Sequence, residues 1–231
     1  MNDPGMRRET GGRLTGGPAG CLIPPLGRLL NRGRLGRLRL TSRQVLAIVA
    51  LASLLAAAAA ALFRQTGQDF RKYHNGQFAV VKTIDGDTIE IEPADGDRKH
   101  TTIRLWGVDT PETVDPRQKG PAYFGKEASA FTKQLTAGQT VRLELIAEDT
   151  RDKYGRLLAY VFLPDGSMLN ERLIETGHGY ADTRFEHPRM QRFIKLEERA
   201  RKAKAGLWAG VRLEQMPEWR QRAERKDEPE D

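Results

Sequence analysis

The sequence predicts an α+β chain, mainly β: a five-stranded barrel of the OB type with three helices, preceded by one N-terminal hydrophobic helix. Three observations lead there. Five short segments of alternating apolar residues lie between residues 77 and 162. One helical pattern precedes the fourth of them, and two follow the fifth. An uncharged, almost wholly apolar run fills residues 45–63.

The N-terminal arm, 1–44, holds nine arginines against Asp3 and Glu9. The whole chain of 231 residues has 38 bases and 31 acids, a net +7, so the arm accounts for all of the excess and the rest is neutral. A basic balance usually points to a polyanionic partner; here its position makes it a topology signal instead. At 39% hydrophobic residues a polytopic membrane protein is excluded, and the single cysteine, Cys21, excludes an intrachain disulfide framework or a Cys-based zinc site. The Gly-rich stretch before Cys21 does not fit lipidation.

Nineteen residues of helix over 45–63 span about 28 Å, close to the hydrocarbon thickness of a bilayer. Nine of them are alanine, which weakens insertion. Arg28, Arg32, Arg34, Arg37, Arg39 and Arg43 precede the run, while Arg64, Arg71 and Lys72 follow it. That asymmetry predicts the N-terminus inside and the C-terminal domain outside the cytoplasm. The small residues of 56–61 also suit a signal peptidase, and an Arg-rich, acid-poor leader suits an organellar transit peptide. Anchor and cleaved segment therefore both stand: a single-pass membrane protein, or a secreted or periplasmic one.

Residues 64–76 are polar and read as a linker. A hairpin follows over 77–92, with Phe78 and Val80 in its first strand, Asp85-Gly86 at the turn, and Ile89 and Ile91 in its second. Ile103-Arg104-Leu105-Trp106 is a third strand. The first helix covers 125–135, with Ala128, Phe131 and Leu135 at helical spacing. Val141, Leu143 and Leu145 alternate in the fourth strand, and 157–162 form the fifth. The second helix, 168–175, stops at Gly177; the third, 189–205, places Phe193, Leu196 and Ala200 on one face and stops at Gly206. Leu207 and Trp208 are expected to fold back on the core, closing a domain over 77–209. Residues 210–231 are charge-dense, carry two prolines, and read as a mobile tail.

Three short motifs concentrate acids and arginines. Ile84-Asp85-Gly86-Asp87-Thr88 is by itself a hairpin turn; it lacks the later ligand positions of an EF-hand loop. In the second, Arg104 sits inside an apolar strand and Asp109-Thr110-Pro111-Glu112 follows. The third, 149–160, runs through Lys153 and Tyr154 to Arg156. Each alone is an ordinary turn or a solvated loop.

Taken in order and spacing with the 125–135 helix, these motifs resemble the staphylococcal nuclease-like (thermonuclease) family over residues 77–208. The resemblance implies an OB-like barrel that hydrolyses phosphodiesters of DNA and RNA with one Ca²⁺. It implies Asp87 and Asp109 as calcium carboxylates, Thr110 as a carbonyl ligand, and Asp85 behind them. It implies Glu112 as general base and Arg104 and Arg156 on the scissile phosphate. Lys153 and Tyr154 match positions on the neighbouring 5′-phosphate. Where the family has two nucleotide-packing tyrosines, this chain has Thr183 and Phe185, with Tyr180 three residues away; Phe185 can stack on a base but not donate a hydrogen bond. The loop 114–124 matches a mobile segment whose Arg117 and Lys119 offer charges to a nucleic-acid backbone. The chemistry is coherent: attack on a phosphodiester adds negative charge, which preorganised cations stabilise. A catalytically silent module binding nucleic acid or protein is the alternative; retention of Arg104, Glu112, Arg156, Asp87 and Asp109 argues against it. The expected assembly is a monomer, touching a membrane through 45–63 if that segment is kept.

Overall fold

The structure, a computed structural model, describes residues 41–114, 120 and 122–227. The arm before Thr41, with Cys21, and the loop charges Arg117 and Lys119 lie outside the described residues. The chain divides into two units, Met1–Ile48 and Val49–Asp231, and of the first only 41–48 is described.

Helix α1 (Ser42–Tyr73) is 32 residues long. It is long and apolar enough to cross a membrane: a window of mean hydropathy 2.6 has none of its residues buried. Among the described residues nothing covers Leu54, Leu62 or Phe63, which is 82% exposed. A continuous apolar surface of this kind is costly in water and fits a signal anchor or signal peptide.

The expected polar linker 64–76 is instead helical as far as Tyr73 and packed on the barrel. Asp69, Phe70 and Tyr73 recur at helical spacing, so this stretch has an inward face despite its polarity. Asp69 is buried and ion-paired to Arg151, Tyr73 is fully buried with its hydroxyl 3.0 Å from Thr101 Oγ1, and Lys72 donates to the Ala94 carbonyl at 2.9 Å. A buried ion pair leaves no apolar signature, which is why the stretch reads as a linker.

The barrel comprises β1 (Gln77–Asp85), β2 (Thr88–Ile91), β3 (Thr101–Leu105), β5 (Thr140–Glu144) and β6 (Leu157–Phe162); β4 (Val108–Asp109) lies between β3 and β5 in the chain. It closes in the order β1-β2-β3-β6-β5, antiparallel except for the β3–β6 pair. The five strands are those expected, and the fold is the OB type. Ile89, Ile91, Ile103, Leu105, Val141, Leu143 and Leu157 fill the interior. Strand β3 alternates strictly, Thr101, Ile103 and Leu105 inward. The same period of two turns Arg104 to the other face, opposite Thr88 of β2.

The three expected helices are α2 (Gly125–Thr136), α3 (Leu169–Glu175) and α4 (Met190–Lys202). Each buries the apolar face its spacing announced: Ala128 on α2, Leu169 and Leu173 on α3, Phe193 and Ala200 on α4. Helix α4 ends at Lys202, earlier than expected, and a 3-10 turn over Gly206–Ala209 follows. Strand β7 (Tyr180–Ala181) pairs with β4, Asp109 opposite Tyr180.

The C-terminal stretch is not the mobile tail its composition suggests. It forms a 3-10 turn, Leu213–Gln215, and a further helix, α5 (Glu218–Asp227). Met216 and Trp219 pack in a second apolar cluster with Tyr180, Leu207 and Trp208. Arg220 pairs with Glu197 and with Glu224, and Arg201 pairs with Glu224. Charge density here includes interlocked ion pairs, because Arg201 and Arg220 each have a carboxylate within reach on the other helix.

Candidate active site

The groove outside β2 and β3 is built from the turn after β1, the outer face of β3, strand β4 and the loop before β6. Gly86 occupies the turn because a Cβ there would approach the Thr110 side chain to 2.6–2.9 Å. That close approach puts Asp87 against Thr110: Asp87 Oδ2 accepts from the Thr110 main-chain N–H at 2.9 Å and its hydroxyl at 3.1 Å. Asp87 Oδ1 accepts from Thr88 Oγ1 at 2.9 Å. The carboxylate is thereby fixed with little rotational freedom.

Arg104 bridges the two aspartates. One terminal nitrogen is ion-paired with Asp87 and the other donates to Asp109 Oδ1 at 2.8 Å. Burial pulls its pKa down, and the Asp109 charge opposes that shift. Asp109 Oδ1 also meets Arg184 at 3.0 Å, and its Oδ2 accepts from the Trp219 indole N–H at 2.8 Å.

Glu112 faces the same groove from the chain after β4. A Cβ on Gly125, at the start of α2, would collide with the Glu112 carbonyl, so the helix start is pressed against this segment. Glu112 shares a hydrogen bond with Asp85, whose other contacts are the N–H groups of Gly86 (2.8 Å) and Thr113 (3.4 Å). Desolvation, then the hydrogen bond to Asp85, then the charges of Asp85 and Asp109 push the Glu112 carboxyl up to about 7; Arg104 opposes them. Its outer side remains exposed to solvent.

Arg156 immediately precedes β6, its Nε on Asp152 Oδ2 at 2.7 Å. Asp152 also accepts from the main-chain N–H groups of Tyr154 and Arg156, both at 2.9 Å, and so shapes the loop. The Tyr154 ring is 64% exposed, with Lys153 and Arg156 over its face. Phe185, 57% exposed, is stacked on Trp106 across the groove.

Asp85, Asp87, Arg104, Asp109, Glu112, Lys153, Tyr154, Arg156 and Phe185 thus line one groove of about 880 Å³, and Thr110 stands behind Asp87. Thr183 is exposed beside it. Tyr180 is not in the groove; it is buried edge-on against Trp208 and Trp219. The residues that sequence reasoning missed are Arg184, Asp182 and Trp219. Arg184, beside the expected Phe185, is held by Asp182 at 2.7 Å. An isolated Trp inside a charged segment was the one signal for Trp219.

The groups that Asp87, Asp109 and Thr110 can offer a cation are carboxylate and carbonyl oxygens, and in this structure the Arg104 guanidinium spans the two carboxylates. In kind they suit a hard divalent cation. Among the described residues, no three His, Cys, Asp or Glu side chains are grouped so that they could hold a metal ion by themselves.

The family model described as Staphylococcal nuclease homologue matches residues 102–210. The chain is 42% identical over 135 residues to a thermonuclease of Staphylococcus hyicus, covering 57% of this chain and 75% of that protein. It is 41% identical over 149 residues to a thermonuclease of Staphylococcus intermedius, covering 63% of this chain and 82% of that protein. An uncharacterized endonuclease of Escherichia coli is 31% identical over 140 residues, with 61% and 80% covered.

Proposed function

The chain belongs to the staphylococcal nuclease family, and on that premise we propose that it is a calcium-dependent nuclease cleaving DNA and RNA, held at or exported across a membrane. The observation that carries the reading is Arg104 bridging Asp87 and Asp109 on the wall of a groove into which Glu112 and Arg156 also face.

Asp87, Asp109 and the Thr110 carbonyl would hold Ca²⁺, with water and substrate phosphate completing its shell. Bound there, the ion would neutralise phosphate charge and help to position it. Arg104 and Arg156 bring planar guanidinium forks that match two phosphate oxygens at once. Glu112 takes a proton from the attacking water as its oxygen bonds to phosphorus and the bond to the leaving nucleoside oxygen breaks. A carboxyl raised to about 7 suits that step, being ionised in part at neutral pH and basic enough to accept the proton. Lys153 and Tyr154 hold the neighbouring phosphate, and Phe185 offers a stacking face.

Location agrees with this chemistry. A site with two carboxylates binds calcium weakly and fills where free calcium is high, outside the cytoplasm. The arginines before α1 direct the domain there.

The test uses the full chain in detergent micelles with single-stranded DNA and RNA, in Ca²⁺ or in chelator. Cleavage in Ca²⁺ alone, lost in Glu112→Gln, is expected. Cleavage that ignores chelation, or survives Glu112→Gln unchanged, sinks the reading. Binding without any cleavage would indicate the silent module.

A further inference from the structure

Asp109 has two oxygens with different partners. Oδ1 faces Arg104 and Arg184, while Oδ2 accepts the indole N–H of Trp219 from the opposite side, at 2.8 Å. Trp219 is 110 residues away in the chain and sits on α5.

The indole is held where it is from several directions. Tyr180 meets it edge-on at 6.4 Å, and Arg184 lies over its face at 4.7 Å. The next residue, Arg220, reaches the buried Glu197 of α4. Glu197 accepts at 2.7 Å from the N–H of Ala181 in β7, the strand paired with the one that carries Asp109. Helix α5 and the Asp109 strand are thus tied together twice, once through Glu197 and β7 and once through the indole itself. Burying a carboxylate such as Glu197 only to pin a disordered tail would be wasteful; here it pins the element that aims Trp219.

We propose that Trp219 is a positioning residue for the nuclease site: its indole N–H holds one oxygen of Asp109 so that the other side of the carboxylate faces the groove. This rests on the calcium-nuclease reading above, in which Asp109 is an ion ligand. A ligating carboxylate that is free to rotate must be ordered on each binding event, whereas one gripped by a neutral donor keeps its charge and its aim. Outer partners of this kind typically change metal affinity tenfold or more when removed. An indole suits the role because it donates without adding a competing charge and its ring is fixed by packing. The C-terminal helix is by this inference part of the active site, although it lies beyond the residues the family model matches.

The test compares full chains in detergent micelles, titrated with Ca²⁺ alone in a calorimeter. Trp219→Phe keeps the ring and loses the donor. Trp208→Phe perturbs the same apolar cluster at an indole that donates to no carboxylate among the described residues. The expectation is a Ca²⁺ dissociation constant about tenfold weaker for Trp219→Phe. The melting temperature in chelator should stay near that of wild type, and Trp208→Phe should bind Ca²⁺ as wild type does. At saturating Ca²⁺ the KM for single-stranded DNA should be unchanged. Affinity within twofold of wild type in Trp219→Phe, tighter binding, or equal weakening in Trp208→Phe overturns the inference while leaving the nuclease reading intact. A wild type that binds no Ca²⁺ overturns the calcium reading and this inference with it.

Discussion

Arg151 grips Asp69 with two prongs, Nε to Oδ2 at 2.6 Å and Nη2 to Oδ1 at 2.7 Å, and so fastens the end of α1 to the loop that carries Lys153, Tyr154 and Arg156. Asp95 accepts from Nη1 and Nη2 of the same guanidinium at 2.6 and 2.9 Å, and the Gly155 carbonyl accepts from Nη1 at 3.0 Å. The hydrogen bond to Asp69, and after it that to Asp95, raise the Arg151 pKa against its desolvation. Asp69→Ala removes two charge-assisted hydrogen bonds while Asp95 still pairs the guanidinium. It should therefore cost about 1.5–3 kcal/mol, read as a lower urea midpoint of the full chain in micelles. A loss below about 0.5 kcal/mol, the range of exposed pairs, would show that the pair does not hold the helix.

Arg104 spans Asp87 and Asp109 with both terminal nitrogens, and Arg156, held through Nε by Asp152, carries the same planar fork, which an ammonium cannot copy. Arg104→Lys and Arg156→Lys should each lower kcat by about 10²-fold or more, in the range seen when one transition-state donor is removed. The far-ultraviolet circular dichroism should be unchanged. Activity within threefold of wild type would mean that charge alone suffices at that position.

The raised Glu112 carboxyl has a sign that can be measured. Its folded-state pKa, about 7, lies above the ordinary value of 4.5, so the folded protein binds the proton more tightly than the unfolded chain. Its contribution to stability is complete below pH 4.5 and fades as pH rises through 7. With calcium chelated, Glu112→Gln should be more stable than wild type at pH 8 by about 1 kcal/mol, after discounting for the solvent on its outer side. The advantage should shrink towards pH 5. Equal stability differences at both pH values would contradict the shift.

Charge in the globular part is balanced, and the groove's cations are largely spoken for: Arg104 by Asp87 and Asp109, Arg184 by Asp182, Arg156 by Asp152. Few counterions should be released when a strand binds. With Glu112→Gln in Ca²⁺, the slope of log affinity against log salt on single-stranded DNA should be shallow, about −2 for three phosphates. A slope steeper than about −5 would require a basic surface beyond this groove.

Phe185 presents its ring to solvent over Trp106. Phe185→Ala should weaken binding of single strands by about 5- to 100-fold, the range of one stacked base, with little preference among bases. Thr183→Ala, which removes only a small exposed side chain, should leave affinity unchanged. Equal binding by Phe185→Ala and wild type would remove the ring from the substrate path.

That the singled-out acids and arginines meet in one groove follows in part from local rules. Strict alternation in β3 turns Arg104 away from the core once Ile103 and Leu105 are turned in. The Asp85-Gly86 turn brings Asp87 to the same edge, and the tight approach at Gly86 needs no side chain there. The linker and the tail were misread for one shared reason. Both are stabilised by buried or interlocked ion pairs, Asp69 with Arg151 and Arg220 with Glu197, and a charge in sequence carries no mark of whether its partner is water or another residue.

The sequence by itself determined the five strands, the three helices of the domain and the apolar N-terminal helix, because periodicity and turn chemistry act over a few residues; the acids and arginines stood out only through the order of their motifs and the family that order resembles. Only the tertiary structure decided which of those groups share partners. That Arg104 links two aspartates, that Glu112 is pushed up by burial and then by Asp85, and that Trp219 reaches Asp109 all depend on segments meeting across the closed barrel and its C-terminal helix. Hydrogen bonds and desolvation act over a few ångströms of space, and distance along the chain carries no record of them.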